Sequence, residues 1–206
     1  MSEYFNKTFD VMSFKQVCYT PTGTPNNNWC SLPFSGGTIS NSGCPLVSMA
    51  MLLRYYGKLN TPLDLYNKGN FASGYGNEPA ANLYGMTRIT HDGTFNSLKG
   101  QIFEQLCTND VTCPVMVYGR DANTGNQHYV VIRGFSGSLS IRGYDTATGK
   151  PIYNYTEITP NMFIINDPGT FVNDSQTLDV MINHYKIDKA SPVFDITCWM
   201  NLKIKP

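Results

Sequence analysis

The sequence predicts an α+β fold in which a central buried helix packs on an antiparallel β-sheet, and two observations carry that expectation. In the stretch NSGCPLVSMAMLLRYYG, only Ser48 and Arg54 interrupt the apolar run from Pro45 to Tyr56. A helix that is apolar almost all round belongs inside a core. Beyond Cys113 the pattern changes to runs rich in β-branched and aromatic residues, separated by Gly, Asn, Asp and Pro, which reads as strands. Helices first and strands second give the order of an α+β chain.

Residues 1–43 read as a strand-poor, loop-rich leading segment. TPTGTPNNNW and SGGTISNSG are turn-rich, with Trp29, Leu32, Phe34 and Ile39 as anchors into the core. The central helix follows, closed by Gly57. Thr61 and Pro62 form an N-cap and first-turn pair that opens a short helix, PLDLYNKG. Phe71 to Gly93 reads as a looser segment. FNSLKGQIFEQLC is then an amphipathic helix with Thr94 as its cap. The expected strands are PVMVYGR, HYVVIRGF, SLSIRGYD, NMFIINDP and FDITCWMNLKI. SGS, between Phe135 and Leu139, and TATGK have the composition of hairpin connections. No repeat or low-complexity linker divides the chain. The expectation is therefore one domain over 1–206, with a mainly helical half at 44–110 and a mainly β half at 113–206.

Lys+Arg and Asp+Glu balance at 15 each in 206 residues, which removes the electrostatic case for nucleic acid or an anionic membrane as partner. No segment approaches the roughly 18 apolar residues of a membrane span. The opening MSEYFNKTFDVMSF has no basic stretch followed by an apolar core, so no cleavable signal is read. The expectation is a soluble protein, cytoplasmic at synthesis, for which any export to the exterior or into a virion needs another route, such as lysis or packaging. Cys18, Cys30, Cys44, Cys107, Cys113 and Cys198 are too sparse for a disulfide-built fold. Cys107 and Cys113 fit zinc-ribbon spacing poorly and HExxH is absent, so neither metal nor cofactor is expected. One disulfide that excludes Cys44 is compatible with the chain, but spacing does not give its pairing.

Cys44 directly precedes Pro45. Proline favours the first turn of a helix, and the residue before it avoids α conformation. This places Cys44 at the N-cap or first residue of the buried helix. There the helix dipole and unpaired N–H groups favour an anionic sulfur and can bind an oxyanion. Ser42 and Gly43 allow a tight turn and close approach of a substrate backbone. His128 opens the strand HYVVIRGF directly after DANTGNQ, where a rigid scaffold presents reactive groups. His91, in THDGT, reads as a solvated loop histidine, and His184, in INHYK, as an ordinary strand residue. Asp167 ends the strand FIIN before Pro168-Gly169, whereas Asp145 reads as a turn residue before TATGK. Cys44, His128 and Asp167 thus supply a nucleophile, a base and an orienting carboxylate.

These segments resemble the family-39 cysteine peptidases. The matching residues are Trp29, Thr38, Ile39, Gly43, Cys44, Ser48, Ala50 and Met51; then Gln127 to Val131 with Gly134; then Asn166, Asp167 and Pro168. The resemblance is to the C39-like branch of bacteria and phages. Leader-cleaving exporter domains carry an acidic residue before the Cys-Gly pair, where this chain reads Ser42-Gly43-Cys44. It implies a papain-like fold with Cys44 as nucleophile, His128 as general base and acid, and Asp167 as orienter. It also implies an amide that completes the oxyanion hole. Gln16 is one candidate, although it lies far from Trp29, and Asn28 or its neighbours Asn26 and Asn27 are the others. The activity implied is hydrolysis of a peptide or isopeptide bond, with cell-wall peptides as the substrate by analogy. The competing reading is a papain-like domain kept as a structural or binding module in a larger assembly such as a phage particle. Cys44-Pro45-Leu46-Val47 favours it, because relatives commonly read Cys-Gly-Pro-Thr.

Overall fold

A computed structural model describes residues 1–20, 22–69, 71, 77–121, 127–169, 176–185 and 194–204. Its organising element is β6 (Gln127–Tyr144), a strand of 18 residues. On one side β6 pairs with β5 (Val115–Asp121), which pairs with β10 (Phe194–Ile204), which pairs with β4 (Met86–Asp92). On the other it pairs with β8 (Phe163–Asn166), flanked by β9 (Gln176–Thr177). The far half of β6 also receives β1 (Ser2–Thr8) and β7 (Pro151–Tyr153). Every one of these pairings is antiparallel. The α+β architecture with an antiparallel sheet is the one expected.

The central helix is α2 (Cys44–Tyr55). Leu46, Val47, Met49, Ala50, Met51, Leu52 and Leu53 are all fully buried, so the helix runs through the core as its composition requires. It ends at Tyr56, and Gly57 follows in the left-handed region at φ 67°. The short helix α3 (Pro62–Gly69) starts as expected. The Asp64 carboxylate accepts the Asn60 and Thr61 N–H groups, supplying one side of a capping box. Helix α5 (Phe95–Cys107) packs on the sheet and begins with Ser97 Oγ accepting the Thr94 N–H. Phe103 sits at its centre, fully buried against Phe5, Phe135 and Tyr153 in edge-on contacts of 4.9–5.5 Å.

Five expectations are corrected. The leading segment does contain a strand, because β1 pairs with β6 from Ser2↔Ser140 to Thr8↔Gly134. SGS is no hairpin and lies inside β6. Its glycine reflects close packing, since a Cβ on Gly137 would meet Met162 at 3.0 Å, and one on Gly134 would meet the Lys7 carbonyl at 2.5 Å. The segment expected to be loose holds helix α4 (Asn77–Asn82) and β4, although 72–76 lie outside the described residues. His91 is therefore no loop histidine: it is on β4, stacked on Trp199 at 4.3 Å. His184 is on a helix, α6 (Leu178–Tyr185), whose buried Leu178, Met181 and Ile182 follow i, i+3, i+4 spacing. TATGK does form the turn between β6 and β7. There Asp145 Oδ1 accepts the Ala147 and Thr148 N–H groups.

Candidate active site

Cys44 is the first residue of α2, Gly43 is the N-cap and Pro45 follows inside the first turn. The short helix α1 (Ile39–Ser42) delivers the chain to that point and turns so sharply that Gly43 donates to the Ile39 carbonyl at 2.8 Å. A Cβ on Gly43 would lie 2.4 Å from the same oxygen, so no side chain fits before the cysteine. The expected placement of a thiol at a helix start is what the backbone gives. N–H groups in the first turn of a helix lack intrahelical partners and carry partial positive charge, so they suit an anion beside Cys44.

His128 is the second residue of β6, and Asp167 directly follows β8. Their strands are paired, with Val131 opposite Asn166, which brings the two side chains to one place. His128 Nε2 bonds Asp167 Oδ1 at 2.7 Å, and the Cys44 side chain is the other group that favours charge on the ring. With Nε2 engaged by the carboxylate, Nδ1 is the ring atom left for the sulfur. Cys44, His128 and Asp167 are 8%, 3% and 2% exposed. DANTGNQ, the turn expected before His128, lies largely outside the described residues.

Burial opposes charge on His128, but its hydrogen bond to Asp167 and the Cys44 side chain outweigh that penalty and hold its pKa up at about 9. Burial also opposes charge on Asp167. The His128 bond, the Gly169 N–H at 2.7 Å and the Lys15 ammonium more than compensate and keep the carboxyl below its ordinary value. Lys15 Nζ further donates to the Asp167 carbonyl at 2.7 Å. At neutral pH the arrangement is an imidazolium between a carboxylate and a sulfur, suited to nucleophilic acyl transfer.

Of the amide candidates, Gln16 is 7% exposed and donates through Nε2 to the Ser40 carbonyl in α1, 3.0 Å away. Its own N–H donates to the Pro168 carbonyl at 2.9 Å. Gln16 therefore spans from the residue after Asp167 to the helix leading into Cys44. Asn28 is exposed. The Asn26 and Asn27 amides are engaged with backbone carbonyls of residues 15 and 17. The disulfide that spacing left unpaired joins Cys18 to Cys30 and closes the residues between Gln16 and Trp29 into a loop.

A cleft of about 350 Å³ opens at Cys44, lined by Ser35, Asn41, Ser42, Gln127 and Tyr129 among others. Among the described residues, its lining carries no charged side chain. Ser35 and Gly36 form the tight turn between β2 (Pro33–Phe34) and β3 (Gly37–Thr38) at φ 50° and 79°, as a two-residue hairpin requires.

Two contributors escape sequence reasoning about the chemistry. Lys15 has no local signal, because its target is 152 residues away. Ser48 is flagged only by the family resemblance. It lies one turn after Cys44, and its Oγ donates to the Tyr129 carbonyl at 3.0 Å, beside His128. This bond ties the helix that carries Cys44 to the strand that carries His128. Ser48→Ala is expected to lose about 1 kcal/mol of stability in urea denaturation, with slower alkylation of Cys44. An unchanged alkylation rate would mean that core packing alone holds the two together.

Comparison with known proteins gives one family. The Peptidase C39-like family matches residues 21–190. Among solved structures, the peptidase domain of Streptococcus ComA, a bifunctional ABC transporter involved in a quorum-sensing pathway, is 16% identical. That similarity covers 77% of this chain and 89% of that one, with a TM-score of 0.44. A double glycine motif protease from an AMS/PCAT transporter, crystallised with its leader peptide, is 15% identical over 97% of this chain and 99% of that one, with a TM-score of 0.45. No curated protein is significantly similar to the chain. Among the described residues, no helix is long and apolar enough to cross a membrane.

Proposed function

Since the chain belongs to the Peptidase C39-like family and is a cysteine peptidase, we propose that it hydrolyses a peptide or isopeptide bond through Cys44, His128 and Asp167. The single observation that supports this most is the ring of His128, bonded to Asp167 at 2.7 Å and close enough to Cys44 for the sulfur to act on its charge. Cys44 attacks the scissile carbonyl as the thiolate, and the carbonyl oxygen becomes an oxyanion. The N–H groups at the start of α2 stabilise that charge, and we assign the second Nε2 hydrogen of Gln16 to it as a further donor. His128 then gives its proton to the leaving amine as the C–N bond breaks, leaving a thioester on Cys44. Water, deprotonated by His128, attacks the thioester and releases the acid and the thiol. Asp167 holds the ring in the required tautomer throughout.

The substrate class we assign is a cell-wall peptide, cut at an amide flanked by small or uncharged residues. The cleft supports this through its uncharged hydrogen-bonding side chains, and Ser42-Gly43 stands where leader-cleaving domains carry an acid. Purified peptidoglycan, with double-glycine leader peptides and unrelated peptides as comparators, tests it. Products that depend on Cys44 are expected from peptidoglycan. Products from leader peptides alone would overturn the substrate assignment, and none from any of them would favour a structural module. A single domain spanning 1–206 is part of the same proposal, tested by limited proteolysis.

The charge state of His128 sets a pH limit. Turnover is expected to fall as pH rises through about 9, where the imidazolium loses its proton. In Asp167→Asn the hydrogen bond to a charge is lost, and this alkaline limb is expected to move down toward the ordinary histidine value of 6.5. A limb that stays put would remove Asp167 from the ionisation of the site.

A further inference from the structure

From the bonds around the disulfide-closed loop, we infer that Asn27 is the positioning residue that fixes Gln16 in the site, an inference that rests on the proposed role of Gln16 as oxyanion donor. The disulfide joins cysteines 12 apart in sequence, and most of the loop it closes lies between Gln16 and Trp29. A flexible insert of that size would leave the glutamine poorly fixed, since placing a side chain within a fraction of an ångström needs a supporting shell. Asn27 supplies the shell. Its Nδ2 donates to the carbonyls of both residues that flank Gln16, Lys15 and Val17, each at 3.0 Å. Its Oδ1 accepts the backbone N–H groups of Trp29 at 3.1 Å and Cys30 at 2.8 Å. One side chain therefore pins the start of the loop to its end.

The pinned frame is continuous with both ends of the site. The Trp29 indole N–H donates to the same Lys15 carbonyl at 3.0 Å. The Ser40 N–H, in α1, donates to the Cys30 carbonyl at 2.8 Å. Ser40 in turn accepts the Gln16 amide, and Gln16 and Lys15 bind the backbone of Pro168 and Asp167. The orientation of Asn27 is unambiguous. A flipped amide would set its oxygen against two carbonyls and its nitrogen against two N–H donors. The Lys15 carbonyl also accepts the Trp29 indole and the Val17 carbonyl also accepts the Asn26 amide, but Asn27 joins both of these carbonyls to the far end of the loop through one side chain.

The chemistry that separates this role from mere stability is the oxyanion. Acylation of Cys44 by an ester creates negative charge on the carbonyl oxygen, whereas alkylation by iodoacetamide displaces iodide and creates none at that place. The test uses the full chain, with p-nitrophenyl acetate and iodoacetamide as probes and Cys44→Ala as background. Asn27→Ala is expected to slow nitrophenol release about 10- to 100-fold, at or below the roughly 10²–10³ that removing one oxyanion donor outright costs, while the alkylation rate of Cys44 changes less than about threefold. Gln16→Ala is expected to show the same split, and adding Asn27→Ala to it to slow the ester reaction little further, because residues acting through one another are not additive. Asn27→Asp keeps both acceptor bonds, loses the two donors to the flanking carbonyls and sets a carboxylate oxygen against them. It is expected to show the same split in a chain whose loop end is still tied, which covers a poorly folding alanine variant. Equal losses in both probes, additive losses in the double variant, or no loss at all would overturn the inference. If wild-type Cys44 reacts no faster than a free thiol with either probe, the triad reading itself fails, a result distinct from the others.

Discussion

Cys44→Ala is expected to reduce peptide-bond hydrolysis by roughly 10⁴-fold or more, the scale seen when a nucleophile is removed from an acyl-transfer site. The thermal midpoint is expected to stay nearly unchanged, because the lost sulfur sits at the open end of α2 and not in the close-packed run that begins at Leu46. That contrast between activity and stability is the informative part. His128→Ala should also abolish turnover, and with it labelling of Cys44 by a papain-type epoxide. It leaves the Asp167 carboxylate buried without its partner, however, and stranding one member of a buried charged pair costs about 3–5 kcal/mol. The cysteine variant is therefore the cleaner test. Retention of more than about a hundredth of wild-type turnover in Cys44→Ala would require another nucleophile.

A stability effect as large is expected far from the site, at Phe103→Ala, with a loss of about 3–5 kcal/mol in urea denaturation. Phe103 is fully buried, and its ring meets Phe5 and Phe135 edge-on at 4.9 Å each. The cavity would open between α5, β6 and the N-terminal strand, so β1 should lose protection from hydrogen exchange before the rest of the sheet. Turnover per folded molecule should not change, since the residue touches nothing near Cys44 that the site uses. A loss below about 1 kcal/mol would show that the neighbouring aromatic rings close the void, as volume-tolerant cores do.

Ionisation of the triad also links stability to pH. His128 titrates higher in the folded chain than the ordinary 6.5, so its contribution is complete below about 6.5 and fades as pH rises through about 9. Asp167 titrates lower when folded than its ordinary 3.8, so its contribution is present above that value and is lost as pH falls further. The pair together stabilises the fold most in the window between these two ordinary values.

The site was more legible in the sequence than the architecture around it, for reasons that particular residues make clear. Cys44-Pro45 announces a helix start with local chemistry alone, and the strands ending in Asp167 and beginning at His128 carry β-branched runs that need no partner to be recognised. FDITCWMNLKI matches β10 residue for residue. By contrast, β1 is polar and exposed except at Phe5, so nothing in SEYFNKT states that it is paired. SGS reads as a turn because local rules see glycine as flexibility. Here Gly137 serves the approach of Met162, 25 residues on. His184 was misplaced because apolar neighbours at short range satisfy a period of two as well as one of 3.6. The contributions of Lys15, Ser48 and the Cys18–Cys30 pair depend on which segments meet in space.

The pairing of β1 with the outer half of β6 bears on how the chain reaches this state. Tyr4 on β1 bonds Ser136, a separation of 132 residues, and Lys15 reaches Asp167 across 152. Contacts this distant must pay loop-closure entropy before they return any stabilisation, which slows folding relative to helical chains of similar size. During synthesis the first strand leaves the ribosome long before its partner exists, and stays an unpaired edge until most of the chain has followed. Lys15 and Gln16 wait longer still for the residues of β8. Cys44 and the core helix are made early by the same clock, whereas His128 and Asp167 lie far downstream of them. The cysteine thus stays without its histidine and carboxylate until the segments that carry β6 and β8 have been made.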